Sequence, residues 1–262
     1  MNVDLEGRRA LVGGGSRGIG RACAHELAVL GAEVIVLSRT REDLEAVSNT
    51  LPTPGAQRHS YLVADFDKPE AACGDVQELI SRTGPLHILV NNSGGPPGGP
   101  ITDAGIDEFA QALRSHLFTN HLLTQAVLPG MRASAYGRII NIVSVSVRQP
   151  LPGLGVSNTT RGAVASWAKT LSGEVAAHGI TVNNILPGAT GTDRLYSLIE
   201  TRAKKAGTAV EEEQAEWLSA IPTGRFADPS EIACAVAFLA SPAASYITGV
   251  SLPVDGGFID AL

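Results

Sequence analysis

The chain has 262 residues, of which 44% are hydrophobic, and a formal net charge of −6. A chain of this length and composition can bury one sizeable core, so we expect a single α/β domain over residues 1–262. The acidic balance, without a lysine- or arginine-rich tail, argues against nucleic acid or an anionic membrane surface as the main partner.

The start of the chain and its cysteines predict a cytoplasmic protein. The first strand begins near Ala10, which leaves no room for a signal peptide, and no apolar run approaches membrane-spanning length. Cys23, Cys73 and Cys234 lack the spacing of a disulfide or zinc framework. No metal site is expected, because His116 and His121 point in different directions around one helix.

The stretch from Arg8 to Gly20, RRALVGGGSRGIG, is typical of a buried strand that leads through a glycine loop into a helix. Glycines let the backbone turn sharply and approach a dinucleotide pyrophosphate at the helix N-terminus. A glycine-rich turn alone is weak support, but its place at the first strand-to-helix junction favours a cofactor site. The predicted contacts from this loop are Gly14, Ser16, Arg17, Gly18, Ile19 and Gly20.

The end of the second strand predicts which dinucleotide binds. Glu33 to Leu37 is followed by Ser38 and Arg39, where an NAD-binding protein usually places an acid for the ribose 2′-hydroxyl. Here the acid is missing, and Arg17 and Arg39 offer guanidinium groups suited to a 2′-phosphate. The sequence therefore predicts NADP(H) in preference to NAD(H).

Further strands alternate with helices along the chain. The third strand ends at Asp65, which either accepts a hydrogen bond from the adenine amino group or begins a polar turn. The fourth, Leu86 to Val90, leads into Asn91, another predicted cofactor residue. One helix is predicted from about Asp107 to Met131, and a fifth strand over 138–143.

The C-terminal part contains two more strands and a candidate substrate lid. After the strand over 180–186, Pro187, Gly188, Thr190 and Thr192 are predicted cofactor contacts. The lid is placed at about 188–223, with one charged helix near 210–218, although a plain surface excursion is the alternative. A helix over 229–240 and a strand over 251–254 follow.

This alternation predicts a three-layer αβα, Rossmann-type fold with a doubly wound parallel sheet. Four motifs occur in order: Gly14-x-x-x-Gly18-Ile19-Gly20, Asn91-Asn92-Ser93-Gly94, Pro187-Gly188 and Val254-Asp255-Gly256-Gly257. With them the chain resembles the classical short-chain dehydrogenase/reductase family over its whole length, and most of all the 3-oxoacyl-(acyl carrier protein) reductase type.

The resemblance implies an Asn-Ser-Tyr-Lys catalytic tetrad, but only the serine, Ser144, is present. The tyrosine position falls on Ser157, the lysine position on Arg161 and the asparagine position on His116. In the family, tyrosine is the proton donor and lysine holds the nicotinamide ribose. Arg161 can keep a fixed charge and donors for the ribose, but a serine hydroxyl is a far poorer acid than a phenol of pKa about 10.

His116 is the candidate replacement for the missing acid, because an imidazole of pKa about 6.5 suits proton transfer at neutral pH. A lone histidine on a helix is as readily explained as a structural residue. Tyr196 in the lid is a weaker candidate, since an aromatic residue there more often packs on the substrate.

Three functions remain open. The leading one is an NADP(H)-dependent oxidoreductase that reduces a carbonyl, with β-ketoacyl compounds among the candidates, or oxidises an alcohol. The others are an NADP(H)-binding sensor or scaffold without turnover and an enzyme of this fold with non-redox chemistry. Small residues in the helix from Ser157, together with the resemblance, also imply a homo-oligomer, a tetramer or dimer.

Overall fold

The computed structural model describes residues 1–261 and contains one parallel sheet of seven strands in the order β3-β2-β1-β4-β5-β6-β7. The strands are β1 Arg9–Gly13, β2 Glu33–Ser38, β3 Ser60–Val63, β4 Ile88–Asn91, β5 Gly137–Ile142, β6 Ile180–Pro187 and β7 Ser251–Val254. The predicted fold class is confirmed.

Helices cover both faces of the sheet. They are α1 Gly18–Val29, α2 Arg41–Ser48, α3 Pro69–Thr83, α4 Ile106–Leu113, α5 Thr119–Ala133, α6 Gly155–Val175, α7 Asp193–Ala206, α8 Val210–Ser219 and α9 Pro229–Ala240. None of the helices within residues 1–261 combines the length and apolar character needed to cross a membrane.

Successive strand residues point to opposite faces, so each strand contributes to two cores. On one face Val12, Val34 and Val36 pack with buried residues of α1, α2 and α9. On the other face Leu11, Ile35 and Leu37 pack with buried residues of α3, α5 and α6. This two-sided burial explains why the strands are continuous apolar runs.

The predicted helix over 107–131 is wrong as a single α-helix. A π-helical turn, Arg114–Phe118, separates α4 from α5 and contains His116. The Thr119 hydroxyl donates to the carbonyls of Phe66 and Arg114, and the Ser115 hydroxyl donates to Asp67. These hydrogen bonds hold the widened turn, and π-turns inside helices often occur at functional sites.

The segment after β6 is also more regular than expected. Its first helix, α7, was not predicted, although Leu195, Ile199 and Ala203 form a buried stripe at helical spacing. Thr192 caps its N-terminus, and the left-handed Gly207 ends it. The charged helix predicted near 210–218 is present as α8.

The strand order reverses between β1 and β4, which are neighbours in the sheet. In open α/β sheets, ligands bind at the carboxyl ends of the strands beside such a reversal. The glycine loop after β1 and the Asn-Asn-Ser-Gly segment after β4 both lie at this point.

Candidate active site and cofactor cleft

The glycine loop is packed so tightly that side chains are excluded. At Gly14, where φ is +56°, a Cβ atom would lie 2.6 Å from Asn92 Nδ2. At Gly20 it would overlap the Gly14 carbonyl oxygen. The Asn92 amide donates to the Gly13 carbonyl at 3.1 Å and fastens the segment after β4 to the loop.

The N-terminus of α1 has free donors. Arg17 is the N-cap residue and makes no side-chain capping hydrogen bond, and no acid lies in the first turn. The first N–H groups of a helix have no partner within the helix, and they attract anions. The cradle therefore fits a dinucleotide diphosphate in both shape and charge.

The end of β2 fits a further phosphate. The Ser38 hydroxyl oxygen is buried and has no hydrogen-bond partner in the described chain. Arg17 and Arg39 are exposed, and neither forms a salt bridge within residues 1–261. An orphaned hydroxyl beside a free guanidinium is suited to an anionic ligand.

Asp65 occupies a polar turn. One of its carboxylate oxygens accepts the Asp67 N–H at 3.1 Å, and its own carbonyl accepts the Lys68 N–H at 2.9 Å. These hydrogen bonds belong to a polar turn, which is one of the two roles that the sequence allowed for Asp65. The contact with adenine stays a prediction.

Asn91 is part of a buried ladder that crosses four strands. Its amide donates to Asn141 at 2.9 Å, Asn141 donates to Asn184 at 2.9 Å, and Asn184 donates to Ser251 at 3.1 Å. These residues are direct register partners on β4 to β7. Asn91 is only 2% exposed and its side chain joins the strands, while the cofactor contact at this residue stays a prediction.

The loop after β6 closes over the glycine loop. Thr192 lies against Gly18, with its Cγ2 3.2 Å from where a Gly18 Cβ would be. A Cβ on Gly188 would come within 2.8 Å of the Asp255 backbone, which explains the glycine after Pro187. The Thr190 hydroxyl donates to the Gly188 carbonyl at 3.0 Å and shapes this turn.

Ser144 lies two residues beyond the end of β5 and offers a free hydroxyl hydrogen. Its oxygen accepts the Ser146 N–H at 3.1 Å, so the hydroxyl can donate to a ligand. Ser157 lies in the first turn of α6 and is half-buried.

Arg161 lies one turn beyond Ser157 on α6 and reaches back to β5. Its Nη1 donates to the Ile142 carbonyl at 2.8 Å, two residues before Ser144. Burial, and secondarily the charge of Arg194, lowers the pKa of Arg161 to about 10, so it remains a cation at neutral pH. Ser144 and Arg161 are therefore brought to the same strand end.

His116 is 2% exposed, and its Nδ1 lies 2.6 Å from the Ser93 hydroxyl oxygen. Burial, followed by the charges of Arg161 and Arg194, lowers the pKa of His116 to about 2, although the Gly94 backbone opposes this. The expectation of an imidazole that titrates near 6.5 is wrong. The side chain is neutral at physiological pH chiefly because burial disfavours its charged form, and the charges of Arg161 and Arg194 add to this effect.

Sequence reasoning missed Ser93 and Arg194. Ser93 lies in the recognised Asn-Asn-Ser-Gly motif, and its hydrogen bond to His116 depends on the π-turn, which periodicity does not reveal. Arg194 begins α7, and its Nη2 donates to the Pro96 carbonyl at 3.0 Å. Tyr196 packs edge-on against Phe226 at 6.3 Å and is 46% exposed.

Comparisons with known proteins show the family of the chain. A family profile described as "Enoyl-(Acyl carrier protein) reductase" matches residues 14–259. The 3-oxoacyl-(acyl-carrier-protein) reductase FabG of Vibrio cholerae is 35% identical over 255 residues, covering 97% of this chain and 98% of that protein.

Two solved structures are similar over nearly the whole chain. L-Sorbose reductase from Gluconobacter frateurii, complexed with NADPH and L-sorbose, aligns with a TM-score of 0.93 at 30% identity and covers 100% of both chains. A 3-oxoacyl (acyl-carrier-protein) reductase from Agrobacterium tumefaciens with NADP bound has a TM-score of 0.86 at 28% identity, covering 97% of this chain and 95% of that one. The chain belongs to the short-chain dehydrogenase/reductase family and is of the 3-oxoacyl-(acyl-carrier-protein) reductase-like type.

Proposed function

We propose that this protein is an NADP(H)-dependent reductase of a carbonyl substrate, working without the usual tyrosine and lysine. The observation that carries the proposal is a free hydroxyl donor, Ser144, beside a cation, Arg161, which is anchored to the end of the same strand. The glycine loop with its uncapped helix lies at the neighbouring strand ends. Family membership and the NADP-bound relatives support the same reading.

The cofactor residues divide into three groups along the cleft. The glycine loop and α1 N–H groups hold the diphosphate, and Ser38, Arg17 and Arg39 hold the 2′-phosphate, which selects NADP(H) over NAD(H). Pro187, Gly188, Thr190 and Thr192 form the wall opposite the glycine loop. When bound, the cofactor supplies the hydride.

Ser144 and Arg161 activate the carbonyl. The Ser144 hydroxyl donates to the carbonyl oxygen, since its own acceptor position is occupied by the Ser146 N–H. Negative charge develops on that oxygen as the hydride arrives, and the fixed charge of Arg161 stabilises it. Arg161 cannot itself supply the proton at neutral pH, because its pKa of about 10 keeps the cation strongly favoured and a guanidinium lost at each turnover would remove this charge.

A relay through the hydrogen-bonded Ser93 and His116 carries a proton from solvent water to the substrate oxygen, which becomes the alcohol. A neutral imidazole can release a proton from one ring nitrogen while it accepts one at the other. The 2.6 Å contact with Ser93 gives the ring a hydroxyl partner for this exchange. In this mechanism His116 does not store a proton as an imidazolium, and Ser157 or a water molecule completes the path to the substrate.

The substrate space lies under residues 188–223. Within them, α7 is tied to the loop after β4 by Arg194 and to the loop before α6 by the hydrogen bond from Arg202 to Pro152. A closing segment of this kind excludes water from the reaction. β-Ketoacyl compounds are candidate substrates by family type.

The outer face of α6 supports a homo-oligomer. Val156, Thr160, Val164 and Ala168 face the core, whereas Gly162, Ala163 and Ala165 stay partly exposed. Small residues on a free helix face allow a second helix to approach closely, so this face is the proposed contact between subunits.

The free cysteines at 23, 73 and 234 support the predicted cytoplasmic location.

Turnover is tested by following NADPH consumption against β-ketoacyl thioesters, β-keto esters, oxo acids, quinones and simple ketones. The expected result is one alcohol formed per NADPH consumed with at least one class. Tight NADPH binding without turnover across the panel would favour the sensor or scaffold function.

A further inference from the structure

Two arginines from different elements reach the carboxyl ends of two neighbouring strands, β5 and β4. Arg161 on α6 donates to the Ile142 carbonyl at 2.8 Å, and Arg194 at the start of α7 donates to the Pro96 carbonyl at 3.0 Å. The protein partners found for both guanidinium groups are main-chain carbonyls. Neither group has a carboxylate within 4.0 Å in the part of the chain that the structure describes.

The two cations act on each other's surroundings and on His116. The charge of Arg194 lowers the pKa of Arg161, and both charges lower that of His116. His116 is neutral at physiological pH, so it does not add a third positive charge. Two like charges held beside a buried ring without a counter-ion cost free energy, which an incoming anion would recover.

Two other arginines in this part of the chain have acidic partners. Arg202, two turns further along α7, lies 3.9 Å from Glu213, and Arg225 pairs with Glu231 at 2.6 Å. Arg194 differs because it turns inward to the loop after β4. Its Nη2 would come within 2.7 Å of a Cβ on Gly95, so this loop is built around the guanidinium group.

The anion can come from the cofactor or from the substrate. The diphosphate cradle and the 2′-phosphate site lie at Gly18 and Ser38, and both have donors of their own. Arg194 reaches the loop over 94–100 instead, and Arg161 lies beside Ser144, where the carbonyl is activated. Arg194 is exposed, so a ligand can reach it. These positions favour the substrate as the source.

We infer that Arg161 and Arg194 bind an anionic group of the substrate, so that the enzyme reduces an oxo acid whose carboxylate lies within a few bonds of the reacting carbonyl. This inference rests on the proposed carbonyl reductase function. A carboxylate can accept paired hydrogen bonds from a guanidinium group, and the two cations would orient the carbonyl toward the Ser144 hydroxyl.

The test compares an oxo acid with its methyl ester, which differs by one charge. The parent enzyme should show a kcat/KM at least 10-fold higher for the acid. Arg194→Gln should remove most of that preference, raising the KM of the acid more than that of the ester, and should keep the Kd of NADPH within twofold. Arg194→Lys should retain part of the preference. Arg202→Gln is the matched control, because it removes the other tie of α7 and leaves the proposed anion site intact, and it should keep the parent's preference for the acid.

A binding measurement separates this inference from the proposed function. The hydroxy acid is titrated into enzyme saturated with NADPH, a pair that cannot exchange hydride because both members are already reduced, and its Kd is measured by calorimetry for the parent and Arg194→Gln. A tenfold weaker Kd in the variant supports the anion site even when no carbonyl is turned over. Equal Kd values for parent and variant overturn it. A tenfold loss of NADPH affinity in Arg194→Gln also overturns it, because the guanidinium group would then bind a cofactor phosphate.

Discussion

The two sides of the cleft are built by different means. On the cofactor side, as proposed above, Gly14, Gly18 and Gly20 shape the site with backbone, and a Cβ at Gly20 would overlap the Gly14 carbonyl oxygen. On the proposed reaction side, Ser144, Arg161 and His116 shape it with side chains held by backbone and hydroxyl partners. Backbone packing allows few alternatives, whereas side chains can exchange chemical roles while the fold is kept. The cofactor side therefore keeps the family pattern, and the departures lie on the reaction side.

The largest effect is expected from adding one methyl group on the cofactor side. Gly20→Ala should lower the free energy of unfolding by about 3 kcal/mol or more, because neither the Gly14 carbonyl nor Asn92 can move away cheaply. NADPH binding should be lost with it. Chemical denaturation and calorimetry measure the two effects.

Gly74→Ala on α3 is the control, because a Cβ there meets nothing within 4 Å. It should be neutral or stabilise the protein by about 1 kcal/mol, as expected for alanine in a helix. Equal losses of unfolding free energy in Gly20→Ala and Gly74→Ala would mean that the glycine loop is not unusually tightly packed.

The next largest effect is a loss of stability at acid pH, which we expect from His116 on the reaction side. His116 has a pKa of about 2 in the folded protein, against about 6.5 in the unfolded chain. Below pH 6.5 the unfolded chain therefore binds a proton that the folded protein does not, and stability falls as the pH falls. At pH 4.5 this difference lowers the free energy of unfolding by about 3 kcal/mol, and the effect vanishes above pH 7.

Replacing the ring should remove that slope. His116→Asn should show a free energy of unfolding that is flatter than that of the parent between pH 6.5 and 4.5, measured by urea denaturation at each pH. A parallel pair of curves would show that His116 is protonated in the folded protein. The kcat profile of the parent should likewise lack a limb near pH 6.5.

These two regions also differ in how well the sequence predicts them. The glycine loop, β7 and α9 follow from local patterns, and the last two have the predicted bounds. The π-turn at Arg114–Phe118 does not, because hydroxyl contacts with distant residues hold it. The pKa of His116 depends on Arg194, which lies far along the chain, so the sequence alone suggested its ordinary value.

Asn91 illustrates a motif residue whose role only the register shows. The sequence predicts a cofactor contact there, and direct pairing with Asn141 adds a structural role as the first member of the ladder. The helix α7 was not predicted, because most of its residues are polar and its three buried residues form only a narrow apolar stripe. That stripe has helical spacing and is visible in the sequence.

The asparagine ladder, which links the two sides of the cleft, should contribute less to the free energy of unfolding than the packing of the glycine loop. Asn141→Leu keeps a similar size but leaves the Asn91 amide without its acceptor and the Asn184 oxygen without its donor. Unfolding should become easier by about 1–3 kcal/mol, the cost of unsatisfied buried polar groups. Thermal and urea denaturation check this, and unchanged stability would exclude a structural role for the ladder.

The smallest effect concerns cofactor choice. Arg39→Asp should weaken NADPH and favour NADH several-fold, because an acid repels the 2′-phosphate and accepts from a ribose hydroxyl. Kd values for both cofactors, with Arg41→Asp as a control on the neighbouring α2, measure the change. An unaltered NADPH to NADH ratio would remove Arg39 from the site.

The most direct test of reductase chemistry at Ser144 is a single-turnover experiment with NADPH deuterated at the transferred position. We expect one deuterium on the carbinol carbon of the product, and Ser144→Ala should slow its transfer by about 10²-fold or more with an unchanged Kd for NADPH. An alcohol without deuterium, or an equal rate in Ser144→Ala, would contradict carbonyl reduction at this serine.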